Sequence, residues 1–379
     1  MAGSGFWAGG TAPEAYGAED AAIGNLEVVH EFTEGPMPTG VSVSATGRIF
    51  VNFPKWGDEV PATVVELRDG EVVPYPDERW NRPASDDDEE ALVSVQSIVV
   101  DPADRLWILD TGSPMFAPTK PGGPKLVGVD LATDEVFQVI TFPDDVALPT
   151  TYLNDVRFDL RRGAAGAAYI TDSADSGPNG IIVVDLATGE SWRRLHDHPS
   201  TKALVPPEFI GIAEGRVLAE RSEDGSVEPV TMGADGIAIS ADGERLWYCP
   251  LSSRRWWSVA TDALWDRDAE EADVALHVTD EGDKGGGADG LETDDQGRVY
   301  ATSWEHDAIV RRRTDGTLET VAHDPRMLWP DTMSVADGYL YFTANQLHRQ
   351  GKYQGGEDLR RYPYRLLRFP IDAGPVRLR

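Results

Sequence analysis

Cysteine, lysine and uninterrupted apolar sequence are all scarce in this chain, and each shortage closes off a class of protein. Its 379 residues hold one cysteine, Cys249, so neither an intramolecular disulfide framework nor a multi-cysteine metal site can form. Cys249 lies in an apolar strand pattern, where a buried, inert thiol is expected. No apolar run approaches the length that spans a bilayer. Lys and Arg number 34 against 65 Asp and Glu, a net charge of −31, and only six of the 34 are Lys. Such a field repels nucleic acid and anionic membranes, which bind through neutralising cations, so neither is an expected partner. An Asp-rich, Lys-poor surface is consistent with a host of high internal salt, where screening offsets self-repulsion. A codon bias favouring Arg in an ordinary acidic protein gives the same composition. The opening residues carry no basic or apolar secretory segment. The chain is expected to be cytoplasmic and monomeric, with a flexible acidic lead-in over 1–25 and one domain over 26–379. A nucleophile elbow, a phosphate loop, a dinucleotide fingerprint and a zinc-protease motif are also missing, so no organic cofactor is expected.

What is present is a repeat. The stretch ADGIAISADGERLWYCP, from Ala234, has five relatives: TGVSVSATGRIFVNF, QSIVVDPADRLWILD, NDVRFDLRRGAAGAAYITD, DGLETDDQGRVYATS and DTMSVADGYLYFTAN. Each has a polar residue, a short alternating strand, a turn, and a second strand rich in aromatic and β-branched residues, which is the pattern of a β-hairpin. The copies begin at Thr39, Gln96, Asn154, Asp235, Asp289 and Asp331, spaced by 57, 58, 81, 54 and 42 residues. The intervals leave room for two more strands, such as 126–130 with 136–140 and 180–185 with 191–194. Four antiparallel strands repeated six times predict an all-β, six-bladed β-propeller. Closure is expected from pairing of 26–32 with 364–369. One short helix is expected around 262–271. The Gly/Pro-rich or charged loops at 112–125, 198–231 and 345–362 suit a cover over an opening.

In a propeller the innermost strands line a central channel, so equivalent first positions form a ring around one mouth. Here the ring would be Thr39, Gln96, Asn154, Asp235, Asp289 and Asp331. Converging carboxylates repel unless they share a proton or a cation. This oxygen-only set suits Ca2+, with Mg2+ or Mn2+ as alternatives, and suits zinc poorly. The plainer alternative is that each Asp ties off backbone N–H groups at a strand start. By contrast, Asp242-Gly243, Asp295-Gln296-Gly297 and Asp337-Gly338 fall at hairpin tips and are turn residues. His196 and His198 sit at a strand exit and are expected at the surface or in packing. His306 and Trp304, in SWEHD, are expected in the pocket wall.

Several stretches together resemble the yellow/major royal jelly protein family: DPADRLWILDTG, LNDVRFD, AYITDS, DGIAISADGERLWYCPLSSRRWWSV, DGLETDDQGRVY and WPDTMSVADGYLYFTANQLHR. The resemblance covers about residues 26–368 and implies a six-bladed propeller. It also implies activities ranging from isomerisation of quinonoid aminochromes to binding of small amines. A more distant likeness is to gluconolactonase-type propellers, which are metal-dependent lactone hydrolases. Their metal-binding Glu, two Asn and Asp fall here on Thr39, Asn154, Asp235 and Asp289, with Thr39 and Asp235 departing from the pattern. Asp331 adds a further acid.

The leading expectation is hydrolysis of a small lactone or cyclic ester. Asn154, Asp235, Asp289 and Asp331 would hold the cation, and Asp289 would act as general base with Asp235 beside it. Thr39, Gln96, Tyr152, Trp304, His306 and Trp329 would contact substrate. The alternatives are proton transfer on an aromatic or quinonoid molecule by the same carboxylates without a metal, and non-catalytic binding of a small amine through charge and cation–π attraction.

Overall fold

A computed structural model describes residues 21–82, 90–222 and 224–379. Six four-stranded antiparallel sheets form a ring, making the six-bladed β-propeller that the repeat predicts. The inner strands are Gly40–Val43, Val95–Val100, Leu153–Asp159, Ala234–Ile239, Leu291–Thr293 and Pro330–Ala336, and each packs beside the next around the channel. Strands 2 and 3 of a blade follow in sequence order, and a fourth completes the outer edge. The sixth blade differs. Its outer strand is Glu27–Phe32, from the start of the described chain, paired with Tyr364–Pro370. Joining the two ends of the chain in one sheet closes the ring and removes an open seam.

The core is divided by the blades rather than central. Six hydrophobic clusters fill six seams. Trp107 and Leu126 of the second blade meet Leu153 and Ile170 of the third, for example. Inward strands are buried on both faces, which is why the sequence reads there as apolar runs rather than strict alternation. The expected helix around 262–271 is two short helices, Thr261–Trp265 and Glu271–Ala275. The segment 198–231 holds two small hairpins, 212–217 and 219–229, outside the repeat. Most of the lead-in expected over 1–25 lies outside the described residues, and Ile23 already pairs with His323.

Two local features mark the end at which the inner strands begin. At the start of four inner strands the ladder carries a bulge. It falls at Gln96, at Asn154 and Asp155, at Asp235 and Gly236, and at Asp331 and Thr332. A bulge re-aims side chains away from the regular pleat. Second, the backbones of neighbouring inner strands nearly touch there. A Cβ on Gly236 would lie 2.4 Å from the Asp289 carbonyl oxygen, and one on Gly290 2.4 Å from that of Asp331. The glycines of these two Asp-Gly pairs are therefore fixed by close approach, not by a turn.

Candidate active site at the channel mouth

The bulges turn Asn154, Asp235 and Asp331 toward one another, with Asp289 between the two other acids. All four are buried. Asn154 Nδ2 donates to Asp235 Oδ1 at 2.8 Å, and Asn154 Oδ1 accepts from Ser173 Oγ at 3.2 Å. Asp331 Oδ2 accepts from Asn345 Nδ2 at 2.7 Å. Asp289 Oδ2 accepts from the Trp329 indole N–H at 2.7 Å. Burial, followed by the charge of Asp289, pushes Asp235 and Asp331 well above the usual carboxylate range. Burial also raises Asp289, but the Trp329 hydrogen bond opposes that rise. All three carboxyls are thus disfavoured in their ionised form, and side by side they can hold and pass a proton.

The donor set is chemically that of a hard cation: three carboxylates and an amide, all buried, with mutual repulsion that a cation would relieve. Among the described residues, no three His, Cys, Asp or Glu side chains close around a point on their own. A cation would need an amide or other oxygen to complete its shell. Asn154 now offers Asp235 its N–H rather than its oxygen, so its carboxamide would have to turn.

Above the ring lies a cavity of about 10 Å3, with Gln96, Asn154, Asp235 and Asp289 in its floor. That is room for about one water molecule. Trp56, Phe116, Leu347, Lys352 and Tyr353 form much of the roof. Phe116 stacks on Tyr152 at 4.1 Å and on Trp56 at 5.6 Å. Met115 and Phe116 both hold positive φ, 57° and 55°, in the left-handed region that bulky residues avoid. The loops 112–125 and 345–362 do cover the opening, as expected.

Several sequence expectations land elsewhere. His306 is exposed in the turn after Ser303, because Trp304 takes the inward direction and the chain reverses before His306. Trp304 and Trp329 are buried and stacked at 4.8 Å, outside the cavity lining. Trp329 holds Asp289 rather than facing the cavity. Tyr152 is buried beneath the roof, with its OH donating to Gln96 Oε1 at 3.2 Å and accepting from Trp56 Nε1 at 2.7 Å. Thr39 is buried and accepts from Asn52 Nδ2 at 2.9 Å. Sequence reasoning missed Trp56, Phe116, Lys352, Tyr353 and Asn345. The only signal for them was the irregular character of their loops.

The sequence model of the major royal jelly protein family matches residues 93–374, well over half of the chain. Among curated relatives, protein yellow of Drosophila melanogaster is 28% identical over 251 residues, covering 63% of this chain and 43% of that protein. Protein yellow of Drosophila subobscura is 28% identical over 248 residues, 62% of this chain and 41% of the relative. The chain thus spans less than half the length of the curated relatives it matches. Among solved structures, the calcium-binding protein regucalcin of Agrobacterium tumefaciens superposes with a TM-score of 0.54 at 15% identity, covering 92% of this chain and 97% of that one. A gluconolactonase from Xanthomonas campestris gives 0.51 at 13% identity, over 93% and 97%. At such identities the likeness is one of fold.

Proposed function

The chain belongs to the major royal jelly protein family, and on that premise we propose that it is a small-molecule hydrolase opening a lactone or related cyclic ester at the channel mouth. One observation carries the reading: three carboxyls and an amide are buried together at the end of the channel with no cationic side chain paired to the acids among the described residues. Asp235, Asp289 and a turned Asn154 would hold a divalent cation, Ca2+ first, which would supply carbonyl polarisation and a more acidic water, with Asp331 alongside rather than in the shell. Asp289, held through Oδ2 by Trp329, takes the proton from the attacking water as oxygen adds to the carbonyl carbon. When the ring C–O bond breaks, the proton returns from Asp289 to the departing alkoxide, giving the hydroxy acid. The roof excludes bulk water while this occurs. Lactonase names among the structural neighbours, on the same fold, fit this reading without carrying it.

A second reading is proton transfer on an aromatic or quinonoid substrate without a metal. It is favoured by one observation: three carboxyls lie buried together at the mouth, each pushed above the usual carboxylate range by burial. A neutral Asp235 could then donate a proton while Asp289 accepts one. Turnover of a lactone panel, measured before and after chelation and after return of Ca2+, separates the two. Hydrolysis lost on chelation and restored by the ion supports the first reading. No lactone turnover with a chelator-insensitive isomerase activity replaces it with the second.

A further inference from the structure

All six lysines lie at one end of the propeller. Each inner strand leaves the ring and runs toward the far end. Loops entering an inner strand, and loops between second and third strands, therefore lie on the ring side. Lys55 follows Asn52, Lys120 and Lys125 follow Asp110, Lys202 precedes Ala234, Lys284 follows Asp283, and Lys352 lies between Ala344 and Tyr364. The hairpin turns at the opposite end hold arginines but no lysine, for example Arg48, Arg161 and Arg313.

Two of the six are used up in the fold. Lys125 is buried against Asp110 at 3.3 Å, and Lys284 donates to the Ser253 carbonyl at 2.6 Å. Lys352 is different, because it reaches the cavity that also touches Asp235 and Asp289. Its Nζ lies 5.2 Å from the Phe116 ring centre and 4.8 Å from that of Tyr353. Ring faces hold an ammonium in place without neutralising it. Its carboxylate neighbour Glu220, at 3.5 Å, is half exposed, and such a surface pair is screened and readily exchanged. The mouth is thus bipolar, with acids in the floor and a cation among aromatic rings in the roof.

We propose that the substrate is a planar small molecule bearing an anionic substituent, and that Lys352 is the specificity-determining residue that takes the anion. The planar ligand enters beside Phe116 and Tyr353, drawing the Lys352 ammonium off their faces to pair with its anion, which stays at the roof because the floor acids repel it. The reacting end therefore faces Asp289. The orientation rests on the reading of the ring as the reacting end. The cavity has room for about one water, so the proposal requires the roof residues to part, and failure of both probes below to bind would overturn it.

The test is binding of two unreactive probes, 2-naphthoate and its neutral isostere 2-naphthamide, to the full chain by calorimetry at moderate salt. Wild-type protein is expected to bind the naphthoate at least tenfold more tightly. Lys352→Gln should reduce the preference below threefold, and Lys352→Arg should keep most of it. Unchanged unfolding temperatures establish that both exposed-site variants are folded. Equal affinity of wild type for the two probes, or a preference that survives Lys352→Gln, overturns the inference. The catalytic reading stands apart. Naphthoate preference without turnover of any lactone would remove the hydrolase and keep the ligand class, whereas chelator-sensitive turnover without the preference would remove the ligand class alone.

Discussion

The two ends of the channel carry the same residue, aspartate, at equivalent places in the repeat, and treat it in opposite ways. At the far end, Asp101, Asp159 and Asp294 are as buried as the ring acids. Each is fully partnered. Asp101 takes the Arg105 guanidinium, the Arg105 backbone N–H and the Trp107 indole N–H. Asp294 takes Arg298, Tyr300 OH and the backbone N–H groups of Gln296 and Arg298. Asp159 takes Arg161. At the mouth, Asp235, Asp289 and Asp331 face one another and, among the described residues, receive neutral donors only. A buried charge is retained cheaply only when paired, so the far-end acids are held by their arginines, whereas the mouth acids lie together with no cationic side chain paired to them among the described residues. The hairpin stretch from Ala234 contains both kinds within eight residues. Asp242 caps its turn by accepting from Ser240 Oγ and Glu244 N–H beside Gly243 at φ +74°. Asp235 joins the ring.

The contrast can be broken at either end. The largest effect is expected from Asp289→Asn, which should lower turnover by about 10²- to 10⁴-fold with the fold retained, read by steady-state kinetics and circular dichroism. A drop in stability with activity per folded molecule unchanged would place Asp289 with the far-end acids. Next, Asp294→Ala should cost roughly 2–4 kcal/mol, because it leaves the buried Tyr300 OH without its carboxylate acceptor and Arg298 with Asp372 alone. Denaturant unfolding measures it, and kcat of the folded fraction should be unaffected. Third, Asp235→Asn in cation-free buffer should leave stability unchanged or raise it by on the order of 1 kcal/mol, since a buried like charge is removed. A loss of several kcal/mol would contradict the repulsion argument.

The smallest effect concerns the roof. Glu214 is held by Arg349, and also by His348, and its carboxyl lies at about 2, below the ordinary 4.5. For a depressed carboxylate the folded state gains its full contribution above the ordinary pKa. That contribution is lost as pH falls from 4.5 toward about 2. The segment 347–354 should loosen over that window while the propeller stays folded, seen as faster proteolysis of the roof. Glu214→Gln should show the same loosening at neutral pH.

The ring was legible because blade repetition places like residues at like positions, and period-2 strands with polar starts mark those positions in the chain. The closure strand and most blade strands were legible for the same reason. Roof residues were not, because Trp56, Phe116 and Lys352 sit in loops whose paths depend on tertiary contacts rather than on any local period. The placement of the aromatic side chains was hidden for a related cause. Trp304 and Trp329 have the size of pocket residues, but the crowded seam between blades buries them. A sequence does not distinguish an indole that faces a ligand from one that holds a carboxylate. The hydrogen bond from the Trp329 indole to Asp289, visible only in the structure, marks the second case.

The most direct test of the mouth as a cation-centred site is Ca2+ titration of chelator-treated protein by calorimetry in high monovalent salt, which screens surface acids. The account predicts one saturable site per chain in the wild type, lost in Asp289→Asn and retained in Asp294→Ala, with its salt dependence weak because the ligands are buried. No saturable binding in the wild type, or a site that survives Asp289→Asn unchanged, would contradict it.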